Sequence, residues 1–314
     1  MFFVISGYLI SNLIFSGIKN NSFTLGNFFI RRELKIYPPF LLLIIVSVTF
    51  FTLRHHPFSF QQVVAELFFF QNYHEGLWNH TWSLAVEEHF YVLLPCLLIV
   101  LRRNNKMMRL PAILLTVMAS GLILRIINFQ MHPGSTDQRL FYMLSHLRMD
   151  SFVPGVLVAF FRNYNEPVYR KLIQLPKTLL LAIFTAPIVI LWFLSEFNFF
   201  MLTVEFTLLS FGFAALLIVF MAADQARFDN AFCRLMALIG KSSYQIYLWH
   251  MCVMYWFMSL IEKTLHLTLP YYMSILIFML VSVVLGIFMD KALEQPVLRF
   301  RERYFPSLTK KSLS

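Results

Sequence analysis

Trp82-Ser83-Leu84-Ala85-Val86-Glu87-Glu88-His89-Phe90-Tyr91-Val92-Leu93-Leu94-Pro95 opens an apolar run that continues to Leu101. Such a run can cross a bilayer, which takes about 20 residues with tolerance for tilt. Two carboxyls and an imidazole stand at its mouth. An acidic side chain at membrane depth costs roughly 2.5–3.5 kcal/mol on insertion scales, so a residue kept there either pairs or acts.

Outward from this stretch the pattern recurs. Apolar segments of spanning or near-spanning length lie at 2–17, 37–54, 84–101, 110–128, 148–162, 178–194, 200–221, 243–262 and 270–290. Residues 63–70 are apolar but too few to cross, and read as re-entrant or surface-lying. Hydrophobic residues make up 59% of the chain and charged residues 13%, with a mean hydropathy of +0.67. The fold class is therefore all-α, a polytopic transmembrane helix bundle of about nine spans. Residues 1–306 form the membrane domain, and 307–314 a short polar cytoplasmic tail.

Basic residues collect in cytoplasmic loops. With Met1 outside, all but five of the 26 basic residues fall on one side, the exceptions being Arg54, Arg125, Arg139, Arg148 and Lys263. The net charge of +10 is thus a topology signal that places the C-terminus in the cytoplasm, and no basic–aromatic soluble surface points to nucleic acid. This threading starts an apolar helix at the second residue with no positive charge ahead of it, so an upstream helix and an earlier start are expected. The three cysteines form no disulfide framework. The nine histidines show no metal-ligand spacing, so no metal is expected.

Four constellations carry chemistry. Residues three and four apart share a helical face, so Ser83, Glu87 and Tyr91 align while Glu88 points elsewhere. The plainer reading makes both glutamates solvated caps of the helix, with Thr81 or Ser83 at its N-cap. In Phe28–Pro39 the helix is expected to end before the paired prolines. Arg31, Arg32 and Lys35 there form a basic patch suited to phosphates or to lipid headgroups. His146 and Asp150 stand at i and i+4 and can pair, with Arg148 between them facing elsewhere. Ser243, Tyr247 and His250 form a stripe opening the eighth span; a lone histidine there serves as a base or as a packing residue.

Together these segments resemble the acyltransferase-3 family of bacterial membrane O-acyltransferases. Phe2-Phe3-Val4-Ile5-Ser6-Gly7-Tyr8-Leu9-Ile10 is similar to its FFxxSGFLI segment, and Arg31-Arg32 through Lys35-Ile36-Tyr37-Pro38 to its RRxxRIxP segment. Trp82-Ser83-Leu84 with Glu87, Phe90, Tyr91 and Pro95 resembles WSLxxExxFYxxxP. Arg148-Met149-Asp150, the run ending at His250 and Glu294-Gln295-Pro296 also fit.

The resemblance implies a ten-helix enzyme of the bacterial inner membrane. It would move an acyl group, usually acetyl, from cytoplasmic acyl-CoA to a hydroxyl of a surface glycan or lipid-linked saccharide. Its partners would be that acceptor and membrane lipids. It implies Arg31, Arg32 and Lys35 at the CoA phosphates, and Glu87, Asp150 and His250 in catalysis. Trp82, Ser83, Tyr91 and Arg148 would lie on the substrate side. The family's own base histidine is expected upstream of Met1, and Lys35 replaces an arginine, keeping charge but losing the bidentate fork. An inactive remnant of such an enzyme and a polytopic glycan or lipid transporter stay open beside this reading.

Overall fold

The computed structural model describes residues 1–135, 137, 139–194, 198–224, 228–264 and 270–306. The expected tail, 307–314, lies outside the described residues. In chain order the first helices are α1 (Phe2–Lys19), α2 (Leu25–Leu53), α3 (Phe60–Leu67), α4 (Trp82–Arg103) and α5 (Leu110–Met131). There follow α6 (Val153–Tyr164), α7 (Glu166–Ile173), α8 (Lys177–Phe193), α9 (Phe199–Thr203) and α10 (Glu205–Met221). The last are α11 (Ala231–Lys241), α12 (Ser243–Cys252), α13 (Ser259–Thr264), α14 (Tyr271–Met289) and α15 (Gln295–Tyr304). The described residues are helical or irregular throughout, which agrees with the all-α expectation.

Helical segments stand at each of the nine expected positions, but fewer are long enough to cross alone. Five helical stretches, 2–19, 25–53, 79–103, 107–131 and 271–304, meet the length and apolarity a span requires, or six if α7 and α8, bent by 81°, form one. The shortfall has local causes. The fifth segment spends Met149–Phe152 in a 3₁₀ turn before α6. The eighth passes from α12 into a π-helical turn, Val253–Met258.

The chain folds as two compact units, one of Met1–Phe23 with Val64–Ala223 and the other of Thr24–Val63 with Asp224–Ser314. In the first, α1 packs along α6 through glycines on both sides. A Cβ on Gly155 would lie 2.0 Å from the Val4 carbonyl oxygen, and one on Gly7 2.4 Å from that of Phe152. Backbones this close admit no side chain, so a small residue on each helix is what allows the contact. Phe152, fully buried, stacks on Phe90 at 4.0 Å between centroids and meets Phe3 at 4.8 Å.

In the second unit α2 runs straight through Pro38 and Pro39, correcting the expectation that a helix ends there. Proline removes the N–H that a carbonyl one turn earlier needs and crowds that turn. Beside the paired prolines the Tyr244 hydroxyl donates to the Ile36 carbonyl at 2.8 Å. The carbonyls that lose their donors to the prolines are those of Leu34 and Lys35, one turn earlier, so this bond ties α12 to α2 beside the prolines without replacing what they remove.

Candidate active site

α4 carries the first cluster. Its face delivers Glu87 and Tyr91 into the first unit, where both are buried, with Glu87 2% exposed. The Tyr91 hydroxyl donates to Glu87 Oε1 at 2.6 Å, the one-turn contact expected from the spacing. A second donor, the Ser6 hydroxyl of α1, reaches the same oxygen. Glu88 is buried as well, 6% exposed. Neither glutamate is a solvated cap, and Glu87 is the hub of a hydroxyl–carboxylate network that joins α1 to α4. Trp82 and Ser83 are half-buried at the start of the helix.

The N-terminus of α4 is held by the chain before it. Thr81 stands at the N-cap but makes no side-chain cap bond; its hydroxyl lies 3.0 Å from Glu66 Oε1 and 2.8 Å from the Trp78 carbonyl. Glu66 Oε1 also accepts from the Trp78 N–H at 3.1 Å, and Gln71 Nε2 donates to the Thr81 carbonyl at 3.0 Å. Burial pushes the Glu66 carboxyl up to about 7, opposed by bonds from Trp78, Thr81 and Leu77.

Asp150 is taken by a partner that the sequence spacing did not suggest. Arg125, deep in α5, grips it with both terminal nitrogens, Nη1 to Oδ1 at 2.9 Å and Nη2 to Oδ2 at 2.7 Å. The same guanidinium donates to the Thr203 carbonyl at 2.8 Å, the Leu147 carbonyl at 2.7 Å and the Thr207 hydroxyl at 2.6 Å. Both side chains are fully buried. His146, the partner expected for Asp150, instead has Nδ1 3.1 Å from the Tyr73 hydroxyl and stacks on that ring. Burial lowers its pKa. Arg148 lies over the rings of Phe206 and Phe3, at 4.1 Å and 5.5 Å to the centroids.

The remaining candidates belong to the second unit. Arg31 pairs with Glu302 at 2.6 Å and donates to the Phe305 carbonyl, while Lys35 stands 4.0 Å from the buried Glu294. Arg32 is half-buried beside them in sequence. The basic patch therefore includes acidic neighbours that temper its charge. His250 places Nδ1 2.6 Å from the Tyr247 carbonyl. A carbonyl only accepts, so Nδ1 carries the proton in the neutral ring, and Nε2 keeps the lone pair that a base needs.

The family described as an acyltransferase domain matches residues 1–289. The chain belongs to that family. This acyltransferase is 27% identical over 272 residues to the O-acetyltransferase OatA of Staphylococcus aureus, covering 79% of this chain and 44% of that protein. It is 27% identical over 300 residues to the peptidoglycan O-acetyltransferase OatA of Listeria monocytogenes, covering 86% and 46%. An uncharacterized protein of Haemophilus influenzae is 27% identical over 186 residues, 54% of this chain and 76% of that one. The chain thus spans under half the length of either OatA. No solved structure matches it.

Sequence reasoning passed over several residues that the acyltransferase uses structurally. Ser6 lay inside the quoted FFxxSG segment without being singled out. Arg125 enters the sequence reading only as one of five exceptions to the one-sided charge, although an arginine within an apolar helix is itself a signal. A third group, Ser145 with His89 Nδ1 at 2.6 Å and Asn72 Nδ2 at 2.7 Å, joins segments 73 and 56 residues apart, which no local pattern reveals.

Proposed function

We propose that this acyltransferase is a membrane O-acetyltransferase that moves acetyl from acyl-CoA to a hydroxyl of a cell-envelope glycan or its lipid-linked precursor. The observation that carries the reading is the Ser6–Glu87–Tyr91 network. A carboxylate shut away from solvent with two hydroxyl donors on one oxygen is a costly arrangement that a bundle interior does not need for packing alone. The OatA relatives, one of them named a peptidoglycan O-acetyltransferase, favour acetyl as the group and a glycan as acceptor.

In this reading Arg31, Arg32 and Lys35 meet the CoA phosphates on the cytoplasmic side of the inner membrane. The acceptor hydroxyl gives its proton to a base, its oxygen attacks the thioester carbonyl carbon, and the carbon–sulfur bond breaks as the thiol leaves with a proton. His250 suits the base through Nε2. Glu87 holds the Ser6 and Tyr91 hydroxyls together within the first unit. Trp82 and Ser83 border the acceptor.

Transfer of labelled acetyl from acetyl-CoA into membrane glycan, with the protein expressed from its own locus, tests the reading. Glu87→Gln and Arg32→Ala are each expected to lower transfer about a hundredfold or more, the scale of losing one electrostatic contact to a transition state, while the folded protein persists in the membrane. Wild-type transfer in both variants removes these residues from the chemistry.

A further inference from the structure

Two guanidinium groups and one carboxylate come together in the first unit. Asp150 is fully committed, held by both nitrogens of Arg125 and by the Thr207 hydroxyl at 3.0 Å. Arg148 is left over. Among the described residues its Nε and Nη1, shut off from solvent, have no hydrogen-bond partner, and no carboxylate lies within 4 Å of it. Glu205, the residue before Phe206, is buried with both oxygens unbonded and does not reach it. Arg148 as a whole is only half-buried, which leaves Nη2 as the nitrogen open to a ligand. Stacking on an aromatic face attracts a cation but satisfies none of its five donors. A buried guanidinium without an acceptor is costly unless an anion arrives.

What surrounds it narrows the anion. Phe3 meets Trp82 at 6.1 Å, Trp82 meets Tyr142 at 5.9 Å and Tyr142 meets Phe206 at 6.2 Å. Arg148 closes this ring of four aromatics by lying over its two ends. A guanidinium whose open Nη2 donates charge-assisted hydrogen bonds to carboxylate or phosphate oxygens, set among rings with apolar faces and polar rims, suits a sugar that carries an oxyanion. The collar also has a fixed relation to the reacting groups. Phe3 lies three residues before Ser6 on α1, and Trp82 five before Glu87 on α4, so along the helix axes the collar stands about 4.5–7.5 Å from the hydroxyl–carboxylate network. That separation is about the width of one sugar ring.

We propose that Arg148 within its aromatic collar binds the oxyanion of an acidic acceptor glycan, next to the hydroxyl that is acetylated. The proposal rests on the O-acetyltransferase reading and names its acceptor class. A carboxylate and a phosphate on the sugar share this chemistry.

Binding to the purified full chain in nanodiscs, followed by tryptophan fluorescence, tests it with three probes: a hexuronate-containing tetrasaccharide, its carboxyl-reduced counterpart and a hexose phosphate. One or both charged probes are expected to bind at least tenfold tighter than the reduced one. The member of the pair that binds identifies the anion. Arg148→Gln abolishes the preference, and Arg148→Lys, which keeps charge without the planar guanidinium that lies over Phe206, retains a weaker one. Equal binding of charged and reduced probes, an unchanged preference in Arg148→Gln, or binding of none of the three overturns the proposal. The same preparations are assayed for acetyl transfer. Transfer without charge preference sinks the oxyanion site and leaves the acetyltransferase reading standing. Charge-selective binding lost in Arg148→Gln, without any acetyl transfer, supports the site and sinks that reading.

Discussion

Asp150→Asn separates structure from chemistry at the Arg125–Asp150 pair. Both side chains have zero exposure and share two hydrogen bonds of 2.9 and 2.7 Å. Replacing the carboxylate by an amide leaves a guanidinium in the bundle interior with its charge uncompensated, and breaking one side of a buried pair costs about 3–5 kcal/mol. Arg125→Met is expected to cost at least as much. It strands Asp150 and also removes the donors to the Thr203 and Leu147 carbonyls, each loss adding about 1 kcal/mol or more. The double variant Arg125→Met/Asp150→Leu carries no charge and is expected to fall well short of the sum of the single effects, with a coupling of about 2 kcal/mol or more. Reversible unfolding in mixed micelles, titrated with a denaturing detergent, measures all three. A stability change under about 0.5 kcal/mol in Asp150→Asn, or additive single effects, would refute the reasoning. Acetyl transfer per folded molecule then tests the role that the family resemblance assigns to Asp150. With its carboxylate engaged by Arg125 and Thr207, transfer is expected to stay within a few-fold of wild type. A deep loss in a stable Asp150→Asn protein would return the residue to the chemistry.

Gly155→Ala forces a methyl into the 2.0 Å approach to the Val4 carbonyl and is expected to destabilise by about 1–3 kcal/mol, the cost of overpacking, on the same micelle titration. Since α1 also presents Ser6 to Glu87, acetyl transfer is expected to fall in that variant even at temperatures where it stays folded. Glu66 is expected to make stability pH-dependent. Its folded-state value of about 7 lies above the ordinary carboxyl value of 4.5, so its stabilising share is complete below about 4.5 and is lost as pH rises through about 7, roughly 3 kcal/mol in all. Unfolding midpoints at pH 5 and pH 8 measure this, and Glu66→Gln is expected to flatten the difference; a wild-type protein equally stable at both would remove Glu66 from the account. Tyr91→Phe is expected to cost about 1–3 kcal/mol, because it takes one hydroxyl from a buried carboxylate, and a neutral result on the same titration would mean the 2.6 Å contact is not held in solution.

What the sequence made legible follows the range of its regularities. The helical stripe of Ser83, Glu87 and Tyr91 is a matter of one turn, and the Tyr91–Glu87 bond appears as the period requires. Ser6, 81 residues from Glu87, leaves no periodic trace. The expected His146–Asp150 pair failed for a local reason, since i and i+4 meet only on an α-helix. Ser145–Leu147 and Met149–Phe152 are 3₁₀ turns, where three residues complete a turn and the fourth has already rotated past. The paired prolines misled because the rule for ending a helix counts only local terms, whereas α2 also packs against α12 and α15. The Tyr244 hydroxyl on the Ile36 carbonyl comes from more than 200 residues away.

The short segment Arg148-Met149-Asp150 shows how one motif can serve fold and site together. In a tight turn, residues two apart leave the backbone in different directions. Asp150 therefore turns inward to Arg125, where it ties α5 to the segments holding Leu147, Thr203 and Thr207, and that tie fixes the backbone from which Arg148 departs. Arg148 turns toward Phe3 and Phe206, and its orientation is set by the closure of its neighbour rather than by any partner of its own. Exchanging the two side chains would keep the composition and the net charge. It would leave Arg125 facing a cation and the aromatic collar facing an anion, so the order of the two charges carries the information. A protein with Arg148→Asp and Asp150→Arg is accordingly expected to fail to fold, whereas Arg148→Gln, which leaves the Arg125 pair intact, is expected to fold and lose only selectivity.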